Sequence, residues 1–349
     1  MEPITHLMTG ACLARAGFNR KAAYATIAMT LAAEVPDLDS LWSIKGPIAV
    51  FQHHRGWTHT LLGLPFEAAI VVGAIWLFHR WRIRRANPSK PSRAPIRWGL
   101  LYGFSLIALL SHLLLDWTNN YGLRPFFPFN PHWYSGSFVF IFEPVLFLIL
   151  LIALVAPSLF GLISSEVGAR RPAFRGQSWA IAGLLAMTAL WTLRFLEHEK
   201  ALQLAQAGDY NGATLLRVAA DPYPINPFHW QTVVETPQFY QISTADTFNS
   251  TIAPSDQTEI IYKPPTTLAT LVAKRSWLGE IYLDWSQYPV VTETDTDPDG
   301  LTTVTFRDMR FLYDPPILSG QEKAPLSGAV YINADRRVVR MEMDGHVQH

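Results

Sequence analysis

Residues 99–122 read GLLYGFSLIALLSHLLLDWTNNYG, an apolar stretch that ends in the pair His112 and Asp116. About 20 apolar residues are enough to cross the hydrocarbon core of a bilayer, so the stretch predicts a membrane-spanning helix. The spacing of four places the imidazole and the carboxylate on one helix face, about one turn apart. Both groups are costly in hydrocarbon, and together they can share a metal ion. The stretch therefore predicts a helix that carries part of a metal site at its end.

Composition indicates a membrane protein with a soluble part. Of 349 residues, 49% are hydrophobic and 16% are charged, against roughly 25% charged in ordinary soluble domains. The net charge is zero, so nothing in the overall field indicates a nucleic-acid partner. Cys12 is the single cysteine, which excludes an internal disulfide and a cysteine-rich zinc fold.

Four apolar segments have the length of membrane spans: 61–78, 98–115, 139–162 and 179–195. Two shorter segments, 5–16 and 22–33, precede them and predict a tight helical hairpin that is either spanning or re-entrant. The expected fold class is an α-helical polytopic membrane domain of about six helices, two of them short. The expected partner of these helices is the lipid bilayer.

Basic segments predict the orientation of the spans. Segment 79–97 holds seven Lys or Arg and no acid, and segment 163–177 and the turn with Arg15, Arg20 and Lys21 are also basic. The positive-inside rule places all three in the cytoplasm. Alternation then places 1–6, 34–60, 116–138 and everything after about 197 on the other side. The predicted location is a bacterial inner membrane, with these segments facing the periplasm or exterior.

The character of the chain changes at about residue 198. Short runs rich in Val, Ile, Thr, Tyr and Phe follow, separated by Pro, Gly, Asn and Asp, which predicts a soluble, mainly-β (α+β) domain. We therefore expect two domains, a membrane-embedded domain of 1–197 and a β-rich domain of 198–349 on the outer side.

The candidate metal ligands all lie on the predicted outer side or at helix ends facing it. They are His6, Asp37, Asp39, His54, His59, His112 and Asp116, with Glu143 as a further candidate. Each cluster alone has another interpretation: Asp37 and Asp39 as a turn after Pro36, the HHRGWTH segment as a polar interfacial loop, and Glu143 as an interfacial acid. Their placement on one side favours a single metal site.

The same motifs resemble a known family. The chain resembles the YdjM-type inner-membrane metal-dependent hydrolases, described as LexA-binding, inner-membrane-associated hydrolases, over roughly residues 1–160. Thr60 replaces the usual serine, and Glu143 stands where aspartate is commoner. The motifs are Thr5-His6, Pro36-Asp37-Leu38-Asp39, His54-Arg55-Gly56-Trp57-Thr58-His59, His112 to Asp116-Trp117, Tyr121-Gly122, Pro128-Phe129 and Glu143-Pro144.

The resemblance extends in motif logic to the helical zinc enzymes of the phospholipase C and P1 nuclease group. It implies zinc and a phosphoester substrate. A donor set of histidines and carboxylates without cysteine also favours Zn²⁺ or another divalent ion, with two or three ions possible. Asp37 or Asp39 would orient or deprotonate the attacking water. Arg55 and Arg124 are the cations expected to hold phosphate oxygens.

We therefore expect a membrane-bound, metal-dependent hydrolase that acts on a phosphoester such as a lipid headgroup. The alternative is a non-catalytic scaffold, in which the metal fixes helix ends and the β domain binds a periplasmic or surface partner. A closed coordination sphere favours the scaffold, and an open position beside a groove favours the enzyme.

Overall fold

The computed structural model describes residues 1–85, 94–166, 176–210, 212–253, 258–294, 296–298, 300–312 and 324–348. The chain divides into two units. One comprises Met1–Asp39 and Arg55–Arg194, and the other comprises Ser40–His54 and Phe195–His349. Much of the two predicted basic loops, 86–93 and 167–175, lies outside the described residues.

Helices dominate the chain up to residue 206. They are α1 (Pro3–Arg15), α2 (Ala25–Ala32), α3 (Pro47–His53), α4 (Leu64–Arg85), α5 (Trp98–Thr118), α6 (Pro144–Glu166) and α7 (Gln177–Gln206). Glu2 begins α1 as its N-cap, since its side chain accepts hydrogen bonds from the amides of Ile4 and Thr5. Pro3 occupies the first helical position, where a missing N–H costs nothing. Short 3-10 turns, Val35–Lys45 and Trp57–His59, connect the helices near the candidate site.

Small residues allow α1 and α2 to pack closely, as the predicted hairpin requires. A Cβ atom at Gly10 would lie 2.5 Å from the carbonyl oxygen of Met29 and 2.8 Å from the Cβ of Ala33, so only glycine fits there. Ala28 and Ala32 are fully buried at the same contact. Close approach through Gly and Ala is typical of helix packing in membranes.

Among the described residues, two helices are long and apolar enough to cross a membrane, Trp98–Thr118 and Gln177–Gln206. Leu64–Arg85 passes the same test together with the preceding Pro47–His59, and the apolar helix Pro144–Phe160 is shorter. These elements confirm a helical N-terminal region with apolar helices, whereas the count of about six helices stays a prediction.

The distribution of apolar and ionisable side chains on α5 is the reverse of that on a helix in a soluble protein. Its exposed face carries Ile107, Leu110 and Leu114, while His112 and Asp116 are fully buried. Apolar side chains face outward and ionisable side chains face the protein interior, as expected when hydrocarbon surrounds the helix.

The second unit contains two antiparallel sheets, which confirms the predicted mainly-β domain. In the first sheet, β3 pairs with β2, β4 and β5, and β2 also pairs with β1. The second sheet has the order β10-β9-β8-β7-β6. The strands are β1 (Arg217–Pro222), β2 (His229–Glu235), β3 (Phe239–Asp246), β4 (Thr251–Ile252), β5 (Glu259–Tyr262), β6 (Pro289–Glu293), β7 (Thr302–Asp308), β8 (Gly328–Ile332), β9 (Val338–Met343) and β10 (His346–Val347), with helices α8 (Leu268–Lys274) and α9 (Trp277–Trp285) between β5 and β6.

Segment Ser40–His54 packs within this second unit. The ring of Phe51 lies 5.1 Å from that of Trp285, and Gln52 accepts a hydrogen bond from the indole of Trp277 at 3.1 Å. The side chain of Gln348 donates to the Lys45 carbonyl at 2.8 Å and accepts from the Ile48 amide at 3.0 Å. The stretch between Asp39 and Arg55 is therefore held by contacts with the C-terminal part of the chain.

Candidate metal centre

His112 is held in one tautomer by the helix hairpin. Its Nδ1 lies 2.7 Å from the carbonyl oxygen of Ala33. A carbonyl can only accept, so Nδ1 carries the proton and donates it. In the neutral ring Nε2 is then a bare lone pair, the form in which histidine binds metals.

His59 is oriented in the same way from the 3-10 turn. Its Nδ1 lies 3.3 Å from Asp39 Oδ2 and 3.0 Å from the hydroxyl of Thr58. Thr58 donates its own proton to Asp39 Oδ2 at 3.1 Å, so the hydroxyl oxygen is left to accept from the histidine. Carboxylate and hydroxyl together hold a proton on Nδ1 of His59, so Nε2 is the nitrogen available to a metal ion.

The Nε2 atoms of His59 and His112 lie close to two carboxylates. His59 Nε2 lies 3.1 Å from His112 Nε2, 3.2 Å from Asp116 Oδ2 and 3.4 Å from Asp37 Oδ1. His112 Nε2 lies 3.4 Å from Asp116 Oδ2 and 3.7 Å from Asp37 Oδ1. Zinc–ligand bonds of about 2.0–2.1 Å imply ligand–ligand separations of about 3.3 Å in a tetrahedron. The spacing of the four donors therefore fits one small divalent cation, and one donor atom from each lies within 4.8 Å of all the others.

Burial makes such an arrangement costly without a positive charge. The side chains of His59, His112 and Asp116 are fully buried, and that of Asp37 is 14% exposed. Asp116 Oδ2 and both ring nitrogens of the buried His6 have no hydrogen-bond partner among the described residues. Buried polar atoms are nearly always satisfied, and two unprotonated nitrogens at this distance would repel each other. A cation at the meeting point would satisfy Asp116 Oδ2 and remove the repulsion.

Asp37 is ionised in this setting. Burial raises the pKa of its carboxyl, but contact with the imidazole of His59 outweighs that effect, and the pKa falls from 3.8 to about 2. The partly exposed Asp37 is therefore an anion at neutral pH and the most accessible of the four donors.

Arg55 forms hydrogen bonds with two of the aspartates around the histidines. Its guanidinium donates to Asp116 Oδ1 at 2.7 Å, to Asn119 Oδ1 at 3.1 Å and to the Gly122 carbonyl at 2.8 Å. Its backbone amide donates to Asp39 Oδ2 at 2.8 Å. The residue is 3% exposed and has a φ of 54°, a conformation uncommon outside glycine. Arg55 thus connects the two carboxylates that flank the histidines.

The other sequence-predicted residues lie in different settings. His6 stacks on His112 with ring centroids 3.8 Å apart, and its Nε2 lies 3.4 Å from Asp116 Oδ1, which the amine of Met1 also contacts. Glu143 is outside this donor group and contacts the guanidinium of Arg194. His54 follows α3 and belongs to the second unit. Arg124, half-buried, lies over the rings of Phe127 and Trp133 at 5.0 and 4.5 Å.

Sequence reasoning missed three groups that position the ligands. Thr58 and Asn119 lie inside the quoted motifs, so their polar side chains beside the predicted ligands were a usable signal. The Ala33 carbonyl has no signature in the sequence, because it depends on how the hairpin packs on α5.

The helices and the buried histidine–aspartate cluster define a membrane protein with a candidate metal centre. Residues 1–201 match the model of the YdjM inner membrane protein family, and the chain belongs to this family. It is also 25% identical, over 156 residues, to a Bacillus subtilis (strain 168) protein described as "Uncharacterized protein YfhP". That alignment covers 42% of this chain and 43% of the relative, so less than half of the relative is matched. No solved structure matches the chain significantly.

Proposed function

We propose that the protein is a membrane-bound, divalent-metal-dependent hydrolase of phosphoesters, with zinc as its metal. The observation that carries this proposal is the convergence of His59 Nε2 and His112 Nε2, 3.1 Å apart, with the carboxylates of Asp37 and Asp116. Membership of an inner membrane protein family supports the membrane location. The donor set of two histidines and two aspartates suits zinc. The single cysteine, Cys12, is remote from these residues in the sequence.

His59, His112, Asp37 and Asp116 would hold the ion. A divalent ion bound there would supply Lewis acidity and would make a water molecule more acidic. Asp37 is the donor that solvent reaches, so its carboxylate is the group placed to orient a water molecule and accept its proton. Asp39 holds the ring of His59, and Arg55 holds Asp116, so that the donor atoms converge without rearrangement.

Among the arginines predicted to bind substrate, Arg124 is the better candidate. Arg55 is almost fully buried and donates to three protein acceptors. Arg124 is half-buried, and its guanidinium lies over the rings of Phe127 and Trp133. A rigid, accessible guanidinium can bind two phosphate oxygens at once.

One observation favours the scaffold alternative. Three of the four donors are fully buried, as is usual for metal sites that serve stability alone. In that case the ion would hold the hairpin, the 3-10 turns and α5 together, and Asp37 would complete a closed coordination sphere.

Turnover by metal-loaded protein distinguishes the two functions. The full chain, purified in detergent and loaded with Zn²⁺ or Mn²⁺, is assayed on bis(p-nitrophenyl) phosphate, phosphatidylglycerol and isoprenyl phosphate. We expect hydrolysis that is lost with EDTA and in Asp37→Asn but kept in His132→Ala, which changes an exposed histidine outside the cluster. Absence of turnover on all three substrates, with one ion bound per chain, would establish the scaffold instead.

A further inference from the structure

The ends of α4 and α5 remote from the metal cluster carry a dense set of cations. Exposed cations come from three chain segments that meet there, and no Asp or Glu occurs in 17–33, 68–85 or 94–115. We call this set the basic collar. It consists of Arg20, Lys21, Arg80, Arg82, Arg84, Arg85 and Arg97.

Specific contacts bring the three segments together. The hydroxyl of Tyr24 lies 3.1 Å from His79 Nδ1 and accepts from Arg82 at 3.5 Å, which joins the start of α2 to the end of α4. The ring of His79 lies 5.8 Å from that of Trp98, which joins α4 to the start of α5. The amide of Ala23 donates to the Pro95 carbonyl at 2.9 Å. The collar is therefore part of the folded unit.

Its distance from the metal cluster equals about one bilayer core. Trp98 and Asp116 are 18 residues apart on α5, a rise of about 27 Å at 1.5 Å per residue. The hydrocarbon core of a bilayer is about 30 Å thick. If the metal cluster lies near one interface, the collar lies at headgroup depth on the other.

Aromatic side chains fix the collar at that depth. Arg80 lies over the ring of Trp76 at 4.9 Å, and Arg85 lies over that of Trp81 at 4.7 Å. Both indoles are exposed, at 41% and 49%. Exposed tryptophan is typical of the interfacial belt, and a guanidinium stacked on it is held in the layer that contains lipid phosphates.

We propose that the basic collar is a binding surface for anionic phospholipid headgroups. Several arginines held at phosphate depth, without a neighbouring acid in the same segments, complement a negative headgroup such as that of phosphatidylglycerol. Zwitterionic lipids offer no net charge for the collar and bind less. This surface is separate from the metal cluster and does not depend on hydrolysis.

Lipid competition tests the proposal on the full chain. Protein in detergent is exposed to equimolar phosphatidylglycerol and phosphatidylcholine, and bound lipids are counted by native mass spectrometry. We expect phosphatidylglycerol to dominate in the wild type. The variant R80Q/R84Q/R85Q, which keeps the Arg82–Tyr24 bond, should lower that preference by about tenfold or more. Control variant R275Q/R336Q/R337Q removes the same charge from exposed positions of the second unit and should keep it.

Two further measurements keep the result interpretable. The charge-preserving variant R80K/R84K/R85K should retain most of the preference, so a misfolded glutamine variant would not leave the question open. Rising salt should weaken phosphatidylglycerol binding. Equal binding of the two lipids to the wild type would overturn the proposal, as would full displacement by millimolar inorganic phosphate, which would indicate a site for free phosphate.

Discussion

His59 Nε2 lies 3.1 Å from His112 Nε2. The other ring nitrogen of each residue, Nδ1, faces a hydrogen-bond acceptor. Ala33 fixes the proton on Nδ1 of His112, and Asp39 with Thr58 does so for His59. The two Nε2 atoms therefore face each other beside the carboxylates of Asp37 and Asp116. Burial lowers the pKa of His59, but hydrogen bonds to the surrounding carboxylates outweigh it and raise that pKa to about 10. Only a proton or a cation between them makes this arrangement stable in a buried site, so metal binding there must compete with protons.

The first prediction concerns the donors themselves. His112→Ala removes one of four convergent donors, and the metal affinity should fall by more than the roughly 10–100-fold typical of lost partners that only orient a ligand. The metal content of the protein is measured by elemental mass spectrometry after gel filtration. His132→Ala should retain full content, and a His112 variant with full content would remove this residue from the site.

A second prediction separates the two aspartates of the PDLD motif. Asp37 Oδ1 lies near Nε2 of both His59 and His112, whereas Asp39 contacts Nδ1 of His59, Thr58 and the Arg55 amide. Asp39→Asn should therefore weaken metal binding by roughly 10–100-fold but leave the stoichiometry at saturating metal unchanged. Asp37→Asn should weaken it more. Titration calorimetry with Zn²⁺ measures both, and a reversed order would exchange the two roles.

The third prediction concerns Arg55, for which sequence and structure indicate different roles. If Arg55 bound the substrate phosphate, its loss would lower turnover and leave the amount of bound metal unchanged. Its contacts with Asp116, Asn119 and Gly122 favour support of Asp116 instead. We expect Arg55→Ala to lower metal affinity, and Arg55→Lys to restore little because one ammonium cannot replace the forked contacts. Arg124→Ala should keep the metal and raise KM. Normal metal affinity in Arg55→Ala would indicate instead that Arg55 binds the substrate.

Much of this site could be predicted from residue types and spacing. The four-residue spacing of His112 and Asp116 put both on one face of α5, and their buried positions agree with that reasoning. What the spacing could not provide is which partner each ligand meets. The roles of Asp37 and Asp39 differ by contacts that arise only when the 3-10 turns pack together, and nothing in the letters PDLD distinguishes them.

The fold was predictable to a similar degree. Hydrophobic length identified Trp98–Thr118 and the apolar helix that begins at Gln177, and short runs rich in Val, Ile, Thr, Tyr and Phe indicated the sheets. Pairing within the sheets was not predictable, because β5 returns to β3 beside β4, a register set by tertiary packing. The association of Ser40–His54 with the second unit also depends on contacts such as Phe51 with Trp285, which join residues more than 200 positions apart.

A fourth prediction tests the orientation inferred from the basic segments. Single cysteines are placed at Phe129, which is 85% exposed, at Ala334 and at Arg84, in a chain where the buried Cys12 is replaced by alanine. With an impermeant thiol reagent and intact cells, positions 129 and 334 should label, and position 84 should label only after lysis. Labelling of position 84 from outside would overturn the orientation, and shielding of position 334 alone would place the second unit in the cytoplasm.

The last prediction concerns the stability of the second unit. Asp308 is buried and accepts from Arg310 at 2.9 Å, from Ser286 at 2.7 Å and from the Gln287 amide at 2.9 Å. Burial opposes its charge, but the Arg310 guanidinium and these donors outweigh that cost, so the pKa of Asp308 is lowered. A lowered pKa contributes stability above the unfolded value of about 3.9 that is lost as the pH falls through the folded value. Asp308→Asn removes the hydrogen-bonded counter-charge of the buried Arg310 and leaves only the charge of Asp221 near it, so it should cost up to about 3–5 kcal/mol at neutral pH. Denaturant titration followed by tryptophan fluorescence reports this, because Trp285 packs against Arg310 at 5.5 Å. The difference in unfolding free energy between wild type and Asp308→Asn should become smaller below about pH 4. The control Asp335→Asn, in an exposed turn, should match the wild type at every pH. A difference that stays constant into acid would show that the charge of the Asp308–Arg310 pair contributes nothing to stability.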